Sequence, residues 1–90
     1  MEKAIITVIG KDRVGIIANT ANILAECNVN ILDITQTILK GIFNMMMIVD
    51  ISASTLEISD IGVKLSELGK ELGVDIRIQH EDIFNSMHRI

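Results

Sequence analysis

The sequence predicts an α+β fold of the ferredoxin-like, split βαβ type: βαββαβ with a short C-terminal helix. Three observations predict it. Apolar residues alternate in four segments and recur at helical spacing in two others, in the order strand, helix, strand, strand, helix, strand. The 90 residues contain no Pro, no low-complexity stretch and no linker, so one domain spanning 1–90 is expected. The chain is 49% apolar with a mean hydropathy of +0.45, yet has two Phe and no Trp or Tyr, so its core must be aliphatic. The expected sheet is antiparallel in the order 4-1-3-2, with both helices on one face.

The first strand is read at residues 4–9, β-branched throughout except Ala4. It runs into Gly10-Lys11-Asp12-Arg13-Val14-Gly15. Asp12 is the expected N-cap of the first helix, its carboxylate accepting from N–H groups two or three residues on. That helix runs to about Cys27. Ile17, Ala21 and Leu24 form one face, flanked by Ile16, Thr20 and Ile23, with Asn19, Asn22 and Glu26 on the polar side.

Strands two and three are read at 30–39 and 42–51, joined by Lys40-Gly41, where Gly can take positive φ. A two-residue loop pairs Ile38 with Phe43, Gln36 with Met45, Ile34 with Met47 and Leu32 with Val49. This puts almost all the apolar residues on one face. Ser54-Thr55-Leu56-Glu57 has the pattern of a capping box before the second helix, whose apolar positions are Ile58, Ile61, Leu65, Leu68 and Leu72. Gly73 suits the helix end. Gly62 and Gly69 inside the helix each cost about 1 kcal/mol against Ala, which a closely packed neighbour would explain. Strand four, 74–80, sends Val74, Ile76 and Ile78 to one side. In the tail, 82–90, Ile83, Phe84, Met87 and Ile90 fall at helical spacing.

Composition excludes several functions. Net charge is −4 and pI about 4.9, against the basic surface that nucleic acid requires. Phe43 is the single aromatic on the expected sheet, where an RNA-recognition module stacks bases. The longest apolar run, 45–49, falls far short of the roughly 18 residues of a membrane span, and no signal peptide is expected. A single Cys, Cys27, fits a reducing cytoplasm and lacks the partner thiol of a soft-metal site. His80-Glu81-Asp82, with His88 nearby, reads as surface residues at a strand end, since neighbours on a strand point to opposite faces. No metal or cofactor is expected.

The first loop offers glycines, cations and a helix N-terminus, which favour an anion. An acylphosphatase-like hydrolase is the enzymatic alternative, but Asp12 would repel phosphate, and no catalysis is expected. Gly15, lacking Cβ, leaves room for a ligand or a second subunit. Asn30 opens strand two with an amide that both donates and accepts, and is expected beside this loop.

The run from Gly10 through Ala18, followed by Asn28-Val29-Asn30-Ile31-Leu32-Asp33-Ile34, resembles the ACT domain over the whole chain. It is most similar to the glycine-cleavage-regulator-like and formyltetrahydrofolate-deformylase-like variants. The ending Ile83-Phe84-Asn85-Ser86-Met87-His88-Arg89-Ile90 resembles that of short, free-standing prokaryotic ACT proteins. The resemblance implies a regulatory module that binds an amino acid or similar small molecule, often at a dimer interface. The implied ligand-binding residues are Gly10, Lys11, Asp12, Arg13, Val14, Gly15, Asn30 and Ile31. Some amino-acid-binding relatives carry His and Asn where this chain has Gly10 and Asp12. A homodimer or higher homo-oligomer is expected, joining sheets or sheet edges, with Ile5, Ile9, Leu39, Ile42, Met46 and Ile48 as the covered residues. The alternative is an adaptor dimer that docks on a partner enzyme without a metabolite.

Overall fold

A computed structural model describes residues 1–87. The elements are β1 (Lys3–Lys11), α1 (Ile16–Glu26), β2 (Asn30–Leu39), β3 (Ile42–Asp50), α2 (Ile58–Leu72), β4 (Val74–His80) and α3 (Glu81–Met87). The four strands form one antiparallel sheet in the order β2-β3-β1-β4, which is the expected order read from the other edge. The tail helix forms as far as Met87; its expected continuation through His88 and Ile90 lies outside the described residues.

The aliphatic sequence makes one core between the helices and one sheet face. Ile6 and Val8 of β1, Phe43, Met45, Met47 and Val49 of β3, and Val74 and Ile76 of β4 meet Ile16 and Leu24 of α1 and Ile61 and Leu65 of α2. β1, β3 and β4 each supply every second residue, as the pleat requires. The buried stripe of α1 is Ile16, Thr20 and Leu24, turned from the Ile17 face that spacing alone suggests. Thr20 is tolerated there because its hydroxyl donates to the Ile16 carbonyl at 2.7 Å.

The helix starts differ from expectation. Asp12 does not cap α1. The N-cap is Gly15, at φ 96°, and no side-chain cap hydrogen bond forms among the described residues. Two residues separate Asp12 from that cap, so its carboxylate is out of step with the first turn. The capping box does not form either. Glu57 is the N-cap of α2, and the Ser54 hydroxyl is engaged locally with the N–H and carbonyl of Leu56. Serine's preference for its own turn won over the longer reach.

The hairpin register holds from Asp33 onward, with Ile34 opposite Met47 and Ile38 opposite Phe43. Lys40 (φ 52°) and Gly41 (φ 80°) both turn left-handed, the two-residue hairpin geometry that matches strand twist. The expected Leu32–Val49 pair does not form. Ile31 faces Val49, and an irregularity between Ile31 and Asp33 leaves Leu32 over. Strand one is also longer than expected. Gly10 and Lys11 lie in β1, opposite Phe43 and Ile42.

α2 packs along β4. A Cβ at Gly69 would stand 2.5 Å from the Val74 carbonyl oxygen, whereas one at Gly62 would be in ordinary contact with Ile78 at 3.4 Å. Gly69→Ala is therefore expected to destabilise by about 1–3 kcal/mol through overpacking. Gly62→Ala should be neutral or stabilising by up to about 1 kcal/mol. Urea unfolding of the two variants measures both.

Candidate functional site

The loop that follows β1 is fastened at three points. The Asp12 N–H donates to the Gly41 carbonyl at 2.9 Å, tying it to the β2–β3 hairpin. The Asn19 side-chain amide donates to the Gly15 carbonyl at 2.7 Å, bracing the helix entry. Arg13 reaches the last turn of α2, its Nη1 donating to the Leu72 carbonyl at 3.3 Å and the Glu71 carbonyl at 3.5 Å. Those carbonyls lack helical partners and carry the negative end of the helix dipole, so a guanidinium is well placed there.

The predicted site residues therefore separate by role. Gly10 is a packing residue in β1, since any Cβ would lie 2.6 Å from a Val74 methyl. Gly15 is required by its own backbone at φ 96°, and a Cβ there would also press on Asn19. Lys11 and Asp12 are exposed and make no side-chain hydrogen bond among the described residues, and Val14 is 96% exposed. Lys11, Asp12 and Arg13 line an open cleft of about 510 Å³ with Leu72 and Gly73. With the Asp12 carboxylate uninvolved in capping, this rim offers both a cation and an anion. The Arg13 guanidinium is turned to α2, away from the loop backbone. Among the described residues, no three His, Cys, Asp or Glu side chains are arranged to hold a metal.

Asn30 and Ile31 are not beside the loop, contrary to expectation. Lys3, Asp50 and Asn30 form one row across the sheet, and Lys11, Ile42 and Leu39 form the row at its other end. Eight residue steps along β1 separate these rows, about 26 Å at roughly 3.3 Å per residue. The reason is topological. α1 returns the chain to the end where β1 began, so β2 must start far from the loop.

At that far end a second depression, of about 350 Å³, is lined by Ala25, Asn28, Val29, Asn30, Asp50 and Ala53. Asn28 sits at φ 58° and its amide donates to the Ala53 carbonyl at 2.9 Å. Asp50 Oδ1 accepts from the Ser52 N–H at 2.9 Å and the Ser52 hydroxyl at 2.5 Å. The Ser52 hydroxyl, then its N–H, hold the Asp50 carboxyl below its ordinary 3.8. Neither Asn28 nor Asp50 was singled out from sequence. The Asp50-x-Ser52 spacing is the available signal, because Asp commonly accepts from the backbone two residues on.

A model of the ACT domain matches residues 2–79. The chain belongs to the ACT domain family. A UPF0237 protein of Clostridium acetobutylicum is 57% identical over 98% of this chain and 99% of its own. An ACT domain protein from Streptococcus pneumoniae superposes with a TM-score of 0.80 at 41% identity, over 92% of this chain and 93% of that one. A putative glycine cleavage system transcriptional repressor superposes with a TM-score of 0.76 at 23% identity, over 88% of this chain and 45% of that one, a likeness of fold.

Two outcomes follow from this ACT domain's geometry. Gly15→Ala should destabilise by about 1–3 kcal/mol, from backbone strain at positive φ, as read by thermal melting. Ser52→Ala should raise the Asp50 titration midpoint, as read by carboxyl NMR. In the unaltered chain the contribution of this carboxylate is complete above the ordinary carboxyl range. It is lost as pH falls through the depressed value.

Proposed function

We propose that this ACT domain is a non-catalytic regulatory module. Two copies pair along β2 and bind a small amino acid between them. The observation that supports the reading is the state of β2. It is a ten-residue edge strand exposed along nearly its whole length. Ile34 and Ile38 lie on the helix side, opposite buried Met47 and Phe43, yet are 42% and 54% exposed. A long aliphatic edge with open hydrogen-bonding groups is a template for a second strand.

Antiparallel pairing of two β2 strands about a two-fold axis sets the start of one beside the end of the other. The Asn30–Ile31 end of one copy then shares a sheet end with the Lys11–Gly15 loop of its partner. The two halves of the predicted site, far apart in one chain, belong to one location in the pair. The loop brings Lys11 and the uncapped N–H groups of α1 for a carboxylate. The strand start brings the Asn30 amide. Buried Cys27 is compatible with the reducing cytoplasm. Occupancy would change how firmly the copies hold together, and a partner enzyme would read that change.

Sedimentation should give a dimer at micromolar concentration, and Ile34→Lys should yield a folded monomer. An amino acid bound by the dimer should raise the melting temperature by mass action, by about 2.7 kcal/mol of stability at one hundred times Kd. A stable wild-type monomer, or no response across the standard amino acids, removes this reading. A co-purifying partner enzyme with no such response favours the adaptor alternative.

A further inference from the structure

The other edge of the sheet carries an assignment of its own. β4 is the edge strand opposite β2. Its register with β1 runs through seven pairs without a bulge, and it contains no Pro. Its outward N–H and C=O groups therefore lie along an unbroken line. α2 runs beside it and leaves a groove of about 420 Å³, lined by Ile58, Ser59, Gly62 and Ser66 of the helix and by residues 75–79 of the strand. The chain's own packing does not demand Gly62, since a Cβ there would only touch Ile78 at 3.4 Å. A glycine inside a helix nevertheless costs about 1 kcal/mol. With Ser59 and Ser66 beside it, the missing side chain keeps the helix wall of the groove low. On the opposite sheet face Asp75 and Arg77 are exposed and pair, among the described residues, only with each other, at 3.0 Å.

We propose that this groove takes an extended segment of a partner protein, added antiparallel to β4 as one more strand. Backbone hydrogen bonds to the edge supply affinity, and alternate side chains supply specificity. Segment residues opposite Ile76 and Ile78 point toward α2, where the low wall admits aliphatic side chains. Residues opposite Asp75 and Arg77 lie on the other face, and the charges there set the pattern. An acid stands opposite Arg77, then an apolar residue, then a base opposite Asp75. Val74–Ile78 has the same pattern, so a second copy is the rival occupant. Pairing between copies at β4 as well as at β2 would extend the sheet without end, because two isologous contacts on opposite edges do not close. A segment of another protein ends the sheet. The assignment rests on the proposed function, in which β2 is taken by a second copy and a partner enzyme responds. It names the surface that holds that partner, one at each outer edge of the pair.

The test uses the full chain labelled with nitrogen-15 and a peptide blocked at both ends, Thr-Val-Glu-Val-Lys-Val-Thr. The control peptide is N-methylated at the central Val and the Lys after it. It keeps every side chain and loses an N–H on each of its edges. The first peptide should shift the amides of Gly62, Ser66, Asp75 and Arg77 saturably and slow exchange of alternate β4 amides, with β2 amides unchanged. The control should do neither. Gly62→Leu, which fills the groove, should abolish the response. Arg77→Glu, on the exposed face, should weaken it about fivefold by setting like charges opposite each other, and serves if the Gly62 variant does not fold. No saturable shift at millimolar peptide, shifts confined to β2, an equal response to the control, or an undiminished response in either folded variant would overturn the assignment. Protection of β4 that rises with the concentration of the chain alone would give the groove to a second copy and overturn it too. A peptide response in a chain that proves monomeric keeps this surface and removes the proposed pairing. A dimer that answers to amino acids but not to the peptide removes the surface and leaves the proposed function.

Discussion

The close seating of α2 on β4 sets the rest of the structure. Gly69 brings the helix so near the Val74 carbonyl that no larger residue fits. With α2 committed to β4, the two helices bury the inner faces of β4, β1 and β3 and leave β2 bare. An edge strand carrying Ile34 and Ile38 is a poor final surface for a chain in water. The aliphatic composition thus has two destinations: a core that the chain closes itself, and an edge that it cannot.

The same topology divides the candidate site. α1 carries the chain back along the sheet, so the loop after β1 and the start of β2 sit at opposite ends. Within one chain they cannot touch a common ligand. In the proposed pair, a two-fold axis along β2 would reverse one copy against the other and bring the ends together. In that proposed pair, whatever binds both ends would also bridge two chains.

Much of the fold was legible because it rests on periodicity. The alternation in β3 and β4 and the spacing Ile61, Leu65, Leu68 survive any small error in register. The hairpin was legible because Lys40-Gly41 permits few turns. What failed was local and competitive. Asp12 and Ser54 each have more than one backbone partner within reach, and spacing alone did not decide between them. The extra residue at Leu32 leaves no mark in an apolar run. Ile5, expected under a second subunit, is already 7% exposed. α3 follows β4 onto that side of the sheet, where Gln79, the neighbour of Ile5, bonds Met87. The candidate site was read from sequence as one location, and the structure divides those residues between two ends of the sheet. Asn30, expected beside the loop, lies at the far end of the sheet, a fact of topology rather than of spacing. Asp50 and Asn28 come to one depression through turns that only the folded chain assembles.

The central claim is that β2 is an interior strand of a two-chain sheet. Amide hydrogen exchange along Asn30–Leu39, measured from dilute to concentrated protein, tests it most directly. The account predicts that alternate β2 amides, those with no partner on β3, exchange freely when dilute and become protected as concentration rises, while β4 amides do not change. Free exchange of those β2 amides at every concentration would contradict it.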